Sequence, residues 1–473
     1  MASAASVSRN SQLATRNLNK ETKTMKKRKS LSRRLFLGQC AAAPFVVSQL
    51  GASQTCYAEN AVPEPTPSDS PETGKPYAGW KEGELDLHFI YTGTSESTFH
   101  IYPDGTSMLL DTGDWASPGT TTVLPDNSRR AGEWVARYVK RVNPAGDHVD
   151  YMMCSHFHDD HCGGNDKYHA GMTSGRGEDY HLSGLAQVAE YIHFDEVFDR
   201  SYPDYDAPVT AWRQYETPNW VKFVQYQEKA NGLKRTPFVV GRANQIALKK
   251  APEKYKGQFQ IFNVCGNGAV CLEPPKPEDE FNPDVQVPTE NLFVKYPHNN
   301  KKGANENLFS IAIRVSYGKF RFFSGGDISG TVLDNDGADV GLEGIIGRTT
   351  GKVSVCKANH HGYIDAMRPE FVKEVQAKVY INNVWDRAHV NKRTVPIMLS
   401  RELYDGDRLI CPTIYQSRDE AEINAQPWAK EIVKIGGHVV VKVFDGGARF
   451  KVYYLTANDE SMTVKAVYGP WDC

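Results

Sequence analysis

The sequence predicts an α/β fold, and three observations carry that prediction. Residues 85–93 alternate apolar and polar side chains as a half-buried strand does, and Pro103-Asp104-Gly105 joins the strand-like runs 99–102 and 107–110 as a hairpin turn. Residues 132–142 then place Val135, Val139 and Val142 on one helical face, ahead of a new apolar run at 149–154. A second hairpin follows much later, with strands 311–315 and 320–323 about the turn Tyr317-Gly318-Lys319. Strands alternating with helical patterns define an α/β layout.

The first 58 residues read as an export leader. Lys26-Lys27-Arg28-Lys29 is a basic start, Arg33-Arg34 with Phe36-Leu37 is similar to a twin-arginine signal, and the apolar run 41–50 is too short to span a bilayer. This predicts export to the periplasm as a folded protein. The Ser/Ala-rich opening Met1-Ala2-Ser3-Ala4-Ala5-Ser6 supports a rival reading, a chloroplast transit peptide followed by a thylakoid-lumen signal. Gln54-Thr55 ahead of Cys56 makes a poor lipidation site, so no membrane anchor is expected. Residues 59–79, rich in Pro, Ser and Thr, are predicted to be a disordered linker, and 80–473 a single domain.

Within that domain, Asp111-Thr112-Gly113-Asp114 ends the strand begun at 107. A helix over 183–192 and a strand over 196–199 follow the 149–154 strand. Residues 204–258 read as an insertion whose Trp212, Tyr215, Trp220, Phe223 and Tyr226 form local core or one wall of a substrate cleft. Residues 274–290, rich in Pro and acid, form a loop.

Composition excludes some partners. A formal net charge of −2 over 473 residues provides no global field for nucleic acid or anionic lipid. Lys249-Lys250 and Lys301-Lys302 are the only tight basic pairs expected near a cleft. Of nine cysteines, Cys40 and Cys56 lie in the leader; seven remain, an odd number, so at least one is a free thiol. Cys265 and Cys271 are close enough in sequence to bridge, and Cys162 reads as a packing residue more than a ligand.

The chemistry concentrates in Cys154-Ser155-His156-Phe157-His158-Asp159-Asp160-His161-Cys162-Gly163-Gly164. His156 and His158, two apart in extended chain, can grip one metal ion; Asp160 and His161, past a turn, can face a second. Neutral imidazole and carboxylate ligands suit Zn²⁺, with Mn²⁺ or Fe²⁺ as alternatives. Gly163 and Gly164 let the chain leave the strand tip and open a helix. Two further stretches supply partners: Ser324-Gly325-Gly326-Asp327 after a strand, and Ala358-Asn359-His360-His361-Gly362 after the apolar run 352–357.

The 156–161 motif with its two glycines resembles the signature of the metallo-β-lactamase superfamily. Asn305-x-Asn307-x-x-Ser310, the Gly326-Asp327 tip and the late His360-His361-Gly362 are similar to the hydrolase domain of competence-type DNA-uptake proteins, with phosphorylcholine esterases nearby. The similarity covers roughly residues 85–200 and 295–400. It implies a four-layer αββα sandwich with a pair of metal ions at the top of two packed sheets. By the same resemblance Asp327 bridges the ions, His361 (or else His360) binds the second, and Asp111 supports the ligands by hydrogen bonds. The chain departs from the pattern in three places. No clear further His lies before the Gly-Asp tip, although His169, His181, His193 and His298 are available. Tyr363 stands where a small hydroxyl residue is usual, and Thr94-Ser95-Glu96-Ser97 replaces a Gly-rich turn.

The implied activity is hydrolysis by a metal-bridging hydroxide, formed because metal binding pulls the pKa of water down to roughly 7. Asp160 would hold one metal and orient the nucleophile, and Tyr363 or His389 would contact the leaving group or substrate. His158 stands where oxygen-reducing di-iron relatives place a Glu, which favours hydrolysis over redox chemistry. The expected substrate is a small molecule, a phosphodiester or related ester, with a lactone or thioester as alternative. A binding protein on a degenerate site is the reading from another class.

Overall fold

Leu85, Leu87 and Phe89 are fully buried in one core, while Asp86 and His88 between them reach polar partners elsewhere. Tyr77 donates to Asp86 at 2.7 Å, and Tyr138 on the neighbouring helix meets His88 at 3.0 Å. This alternation is repeated across a nine-stranded sheet. Its order from edge to edge is Val464–Asp472, Arg449–Leu455, His438–Phe444, Leu85–Phe89, Ser97–Ile101, Ser107–Thr112, His148–Cys154, His193–Asp199 and Lys234–Pro237. A second sheet of eight strands runs Leu409–Pro412, Val379–Asn382, Val355–Lys357, Phe320–Ser324, Ala312–Tyr317, Phe259–Gly266, Ala269–Cys271 and Thr289–Asn291. These come from a computed structural model that describes residues 67–115, 122–164, 174–176, 180–211, 216–297 and 304–473. The 1–58 leader with Arg33-Arg34, and Trp212, Tyr215, His169, His298 and Lys301-Lys302, lie outside the described residues.

Three hydrophobic cores make the layers. One lies between the sheets and joins Leu87, Met108 and Val441 of the first to Ile313, Phe322 and Val355 of the second. A second buries Val135, Val139 and Val142 of helix Ala131–Val142, with Trp220 and Phe223 of helix Thr217–Asn231, against the first sheet. A third packs Ile346 of helix Leu342–Thr350 and Phe371, Val372 and Val375 of helix Pro369–Val375 against Phe323, Cys356 and Tyr380. Helix, sheet, sheet, helix is the four-layer αββα sandwich expected from the sequence. Among the described residues no helix is long and apolar enough to cross a membrane.

Several expectations need correction. Residues 68–77 are not a free linker: Ser68 and Gly74 donate backbone hydrogen bonds to Val467 and Val464, and Tyr77 to Met462, so this segment lines the strand near the chain's end. Pro/Ser/Thr content signalled poor helix and core formation, but an open sheet edge supplies backbone partners to any composition. The 204–258 stretch is not simply inserted, since Lys234–Pro237 extends the first sheet in parallel with His193–Asp199. Its Trp220 and Phe223 are core residues. The helix predicted over 183–192 is regular only over Gly184–Val188. Cys265 and Cys271 are free and buried, as are Cys154, Cys162, Cys356 and Cys411. Cys162 packs in the helix-side core.

Candidate metal centre

The strands Ser107–Thr112 and His148–Cys154 are parallel, as are Phe320–Ser324, Val355–Lys357 and Val379–Asn382. Parallel strands put their carboxyl ends at one edge, the usual place for ligands in α/β sheets. Asp111, residues 155–161, Asp327, His360 and His361 all fall there. The chain bends sharply to do it. Asp111, His360 and His361 have φ of 56°, 45° and 52°, a left-handed backbone that is uncommon for side chains with a Cβ and that concentrates at functional sites. Gly113 has no substitute, because a Cβ there would collide with the Asp160 backbone. Gly163 ends the short helix Asp159–Cys162 instead of opening one, with φ 103° and its N–H donating to Asp159.

Four imidazoles share one arrangement. Each has Nδ1 tied outward: His156 to Ser155 Oγ at 3.1 Å, His161 to Asp111 Oδ2 at 2.8 Å, His360 to Asp365 Oδ1 at 2.6 Å, and His361 to the Asn383 carbonyl at 2.8 Å. Each turns Nε2 to Asp327 Oδ2, at 3.9, 3.1, 3.8 and 3.3 Å respectively. Asp160 Oδ2 is 3.1 Å from His361 Nε2, and His158 Nδ1 is 3.1 Å from His156 Nε2. Asp111 also accepts from the Ser155 N–H at 2.7 Å and hydroxyl at 2.6 Å, which fixes the start of the motif.

The donor set fits metal ions. An outer hydrogen bond on one ring nitrogen with the other aimed inward is how metal-binding histidines are held. Separations of 3.1–3.3 Å among His161 Nε2, His361 Nε2 and Asp327 Oδ2 match the edge of about 3.3 Å that a tetrahedron of 2.0–2.1 Å bonds requires. Asp327 Oδ1 is buried without a hydrogen-bond partner. The buried charges agree. Glu96, Asp111, Asp160 and Asp327 are four buried carboxylates, and one buried ammonium, Lys357, lies beside Glu96 and Asp327. Burial opposes charging His361, yet Asp327, Asp160 and Glu96 overcome it and raise its pKa to about 9. Burial likewise pushes Asp327 up, but His161, His361 and His360 hold it well below the carboxylate range. The carboxylates gather positive charge wherever they find it.

Glu96 and Lys357 are the participants that sequence reasoning missed. Lys357 Nζ lies 3.0 Å from Glu96 Oε2 and 3.8 Å from Asp327 Oδ1, and donates to the Gly326 carbonyl at 2.6 Å. Glu96, His161, Asp327 and His361 each offer a ligand atom within 4.8 Å of the others. The only hint was the Glu in place of a Gly-rich turn. Arg200 is a further silent support: it pairs with Glu306 at 2.5 Å between the rings of Phe157 and Phe309, and Glu306 accepts the Phe157 N–H at 2.8 Å.

Beside the cluster is a cleft of about 320 Å³, lined by Trp115, Tyr363, Trp385, Asp386, His389 and Arg418 as well as ligand residues. Its aromatic wall is Trp115 against Trp385, ring centres 5.4 Å apart, whereas Trp220 and Phe223 of the predicted aromatic run lie in the helix-side core. His389 stacks on His361 at 4.5 Å. His193 lies at the opposite end of its strand from this cleft, and Lys249 and Lys250 are near Asp150 and Gly105 at that far end, so neither basic residue serves the cleft.

The layers and the imidazole–carboxylate cluster define a four-layer αββα sandwich with a candidate metal centre at one edge of its two sheets. No protein-family model matches the sequence, and no curated protein matches it. Among solved structures it is similar to a point mutant of the β-hydroxylase CmlA, at 9% identity and TM-score 0.32 over 69% of this chain and 52% of that one. It is also similar to Zn²⁺-bound PqqB from Methylobacterium extorquens, at 10% identity and TM-score 0.32 over 76% of this chain and 99% of that one. CmlA from Streptomyces venezuelae, a diiron β-hydroxylase, gives 8% identity and TM-score 0.28 over 69% of this chain and 48% of that one. This chain spans about half the length of CmlA.

Proposed function

We propose that the chain is a metal-dependent hydrolase that acts on a phosphodiester or related ester. The observation that carries this reading is the set of four outward-anchored imidazoles whose Nε2 atoms turn to Asp327. His156, His158 and Asp327, with His360 beside them, would hold one divalent ion; Asp160, His161, Asp327 and His361 would hold the other. Bound there, such ions supply Lewis acidity at a phosphoryl or carbonyl oxygen and lower the pKa of water to roughly 7. His360 fills the place for which no further histidine was evident in the sequence.

The chain's own groups do the rest. Trp115 and Trp385 present flat apolar surface for a substrate's organic portion, and the open cleft suits a small molecule. Burial, reinforced by neighbouring His361, keeps His389 neutral. Its Nδ1 receives the backbone N–H groups of Trp385 and Asp386, both at 3.4 Å, which leaves the proton on Nε2. His389 is therefore a hydrogen-bond donor in the cleft, suited to a developing negative charge on a leaving oxygen. Arg418 lies at the rim, paired with Asp386 at 3.1 Å, where it can meet an anionic ester.

The test is a screen of purified protein, metal content measured first, against a bis-aryl phosphodiester, a lactone, a thioester and a β-lactam. Turnover of the phosphodiester, lost on chelation and restored by zinc or manganese, is the expected result. Protein that binds fewer than one ion per chain and turns over none of the four would overturn the reading, and would favour a binding role.

A further inference from the structure

A second set of metal-type ligands lies at the other end of the first sheet. His148 and His193 are the first residues of the parallel strands His148–Cys154 and His193–Asp199, and they are directly in register. In-register residues on adjacent strands stand about 4.8 Å apart, and residues two apart on one strand share a side. Asp195 therefore joins His193 beside His148. His148 Nε2 is 3.1 Å and His193 Nε2 3.5 Å from the same atom, Asp195 Oδ1, with the imidazole ring centres 5.1 Å apart. Ligand atoms of all three residues lie within 4.8 Å of one another.

We propose that His148, His193 and Asp195 form a separate site for a zinc-type divalent ion, which staples the entry of two neighbouring parallel strands. Two nitrogens converging on one oxygen at 3.1 and 3.5 Å bracket the edge of about 3.3 Å that tetrahedral zinc requires. The three side chains are between 36% and 48% exposed, so an ion reaches them from solvent and keeps water on its remaining position. Lys249 approaches the other carboxylate oxygen, Oδ2, at 3.9 Å, and leaves Oδ1 to the imidazoles. The site lies seven residues of extended strand from His156 and its cluster, roughly 20 Å, so it takes no part in the chemistry there.

The experiment compares the full chain with His148→Ala/His193→Ala and with Asp195→Asn, each equilibrated with a few micromolar free zinc. Bound zinc is counted by elemental analysis and thermal melting is recorded with and without zinc. The wild type should hold one more zinc per chain than the double variant, and its melting temperature should rise more on zinc addition, since an ion that binds only the folded state stabilises it. Asp195→Asn should fall between them or match the double variant. The comparison is a difference, so it stands whatever number of ions the buried centre takes. Equal zinc counts in the wild type and the double variant, with both folded by circular dichroism, would overturn the proposal.

Discussion

Lys357 is a fully buried ammonium whose partners, Glu96 and Asp327, belong to two different strand tips in the two sheets. Burial opposes its charge, but Glu96 and Asp327 prevail and hold its pKa above the ordinary lysine value. Removing one member of such a pair leaves the other charge stranded, which costs about 3–5 kcal/mol. Lys357→Met and Glu96→Gln should each lower stability by that order in urea unfolding, and the double variant should lose less than the sum. Additive losses would show that the two charges are not coupled. On the proposed reading Asp327 would govern metal binding, because its Oδ2 lies within 4 Å of four imidazole Nε2 atoms. Asp327→Ala should lower both metal content and phosphodiester turnover by about two orders of magnitude or more, and His156→Ala by less. Near-native turnover with two ions in Asp327→Ala would reduce the Gly-Gly-Asp tip to a turn. Asp111→Asn weakens the anchors of His161 and Ser155 without touching an ion, and should cost about 10–100-fold in metal affinity by competition with a chelator.

At the scale of elements, the helix Asp159–Cys162 is only one turn, too short to hold its place by its own hydrogen bonds. It is held instead by the chain that faces it: Glu96 N–H donates to Asp160 at 3.1 Å and Asp114 N–H to Asp159 at 2.8 Å. Gly113 allows that approach. Gly113→Ala must push the helix outward, so stability should fall by about 1–3 kcal/mol or more and bound metal should fall with it. A variant that keeps full metal content and its unfolding midpoint would mean that the contact has slack.

Across the whole molecule, the first sheet holds three buried histidines away from the metal centre. His88 and His438 lie against Tyr138 of the helix layer, and His100 lies against Phe322 of the second sheet. Burial lowers His88, His100 and His438 to about 3 each. They are neutral when folded and protonate near 6.5 when unfolded. Between those values the unfolded chain binds more protons, so stability is full above about pH 6.5 and falls as pH drops towards 3. The slope is at most about 1.4 kcal/mol per pH unit for each histidine. Asp86, raised by burial, works in the opposite sense and softens the loss. Buried Glu216 and Glu343, raised to about 8 and about 7, work in that same opposite sense, so the test is a difference. With chelator throughout, the melting temperature of the wild type relative to His438→Gln should fall as pH drops from 6.5 to 4.5, and a difference that stays constant over that range would contradict the burial of this imidazole.

Some of this was legible because it is local. The alternation at 85–89, the valine face of 131–142 and the His156-to-His161 spacing are each contained in a few residues, where the periods of strand and helix act directly on the pattern. Strand tips carrying Asp327 and His361 were visible for the same reason. What tertiary structure decided was everything that depends on which tips meet. Glu96 and Lys357 are 261 residues apart, and each by itself is an ordinary charged residue in a loop or strand. His360 was second to His361 until the left-handed turn at both residues sent the two rings to the same carboxylate. His193 was a candidate ligand for the buried centre, and strand direction carried it to the far end of the sheet, beside His148. Sequence spacing specifies which way a side chain points along its own element. Only the pairing of strands from distant parts of the chain determines what it points at.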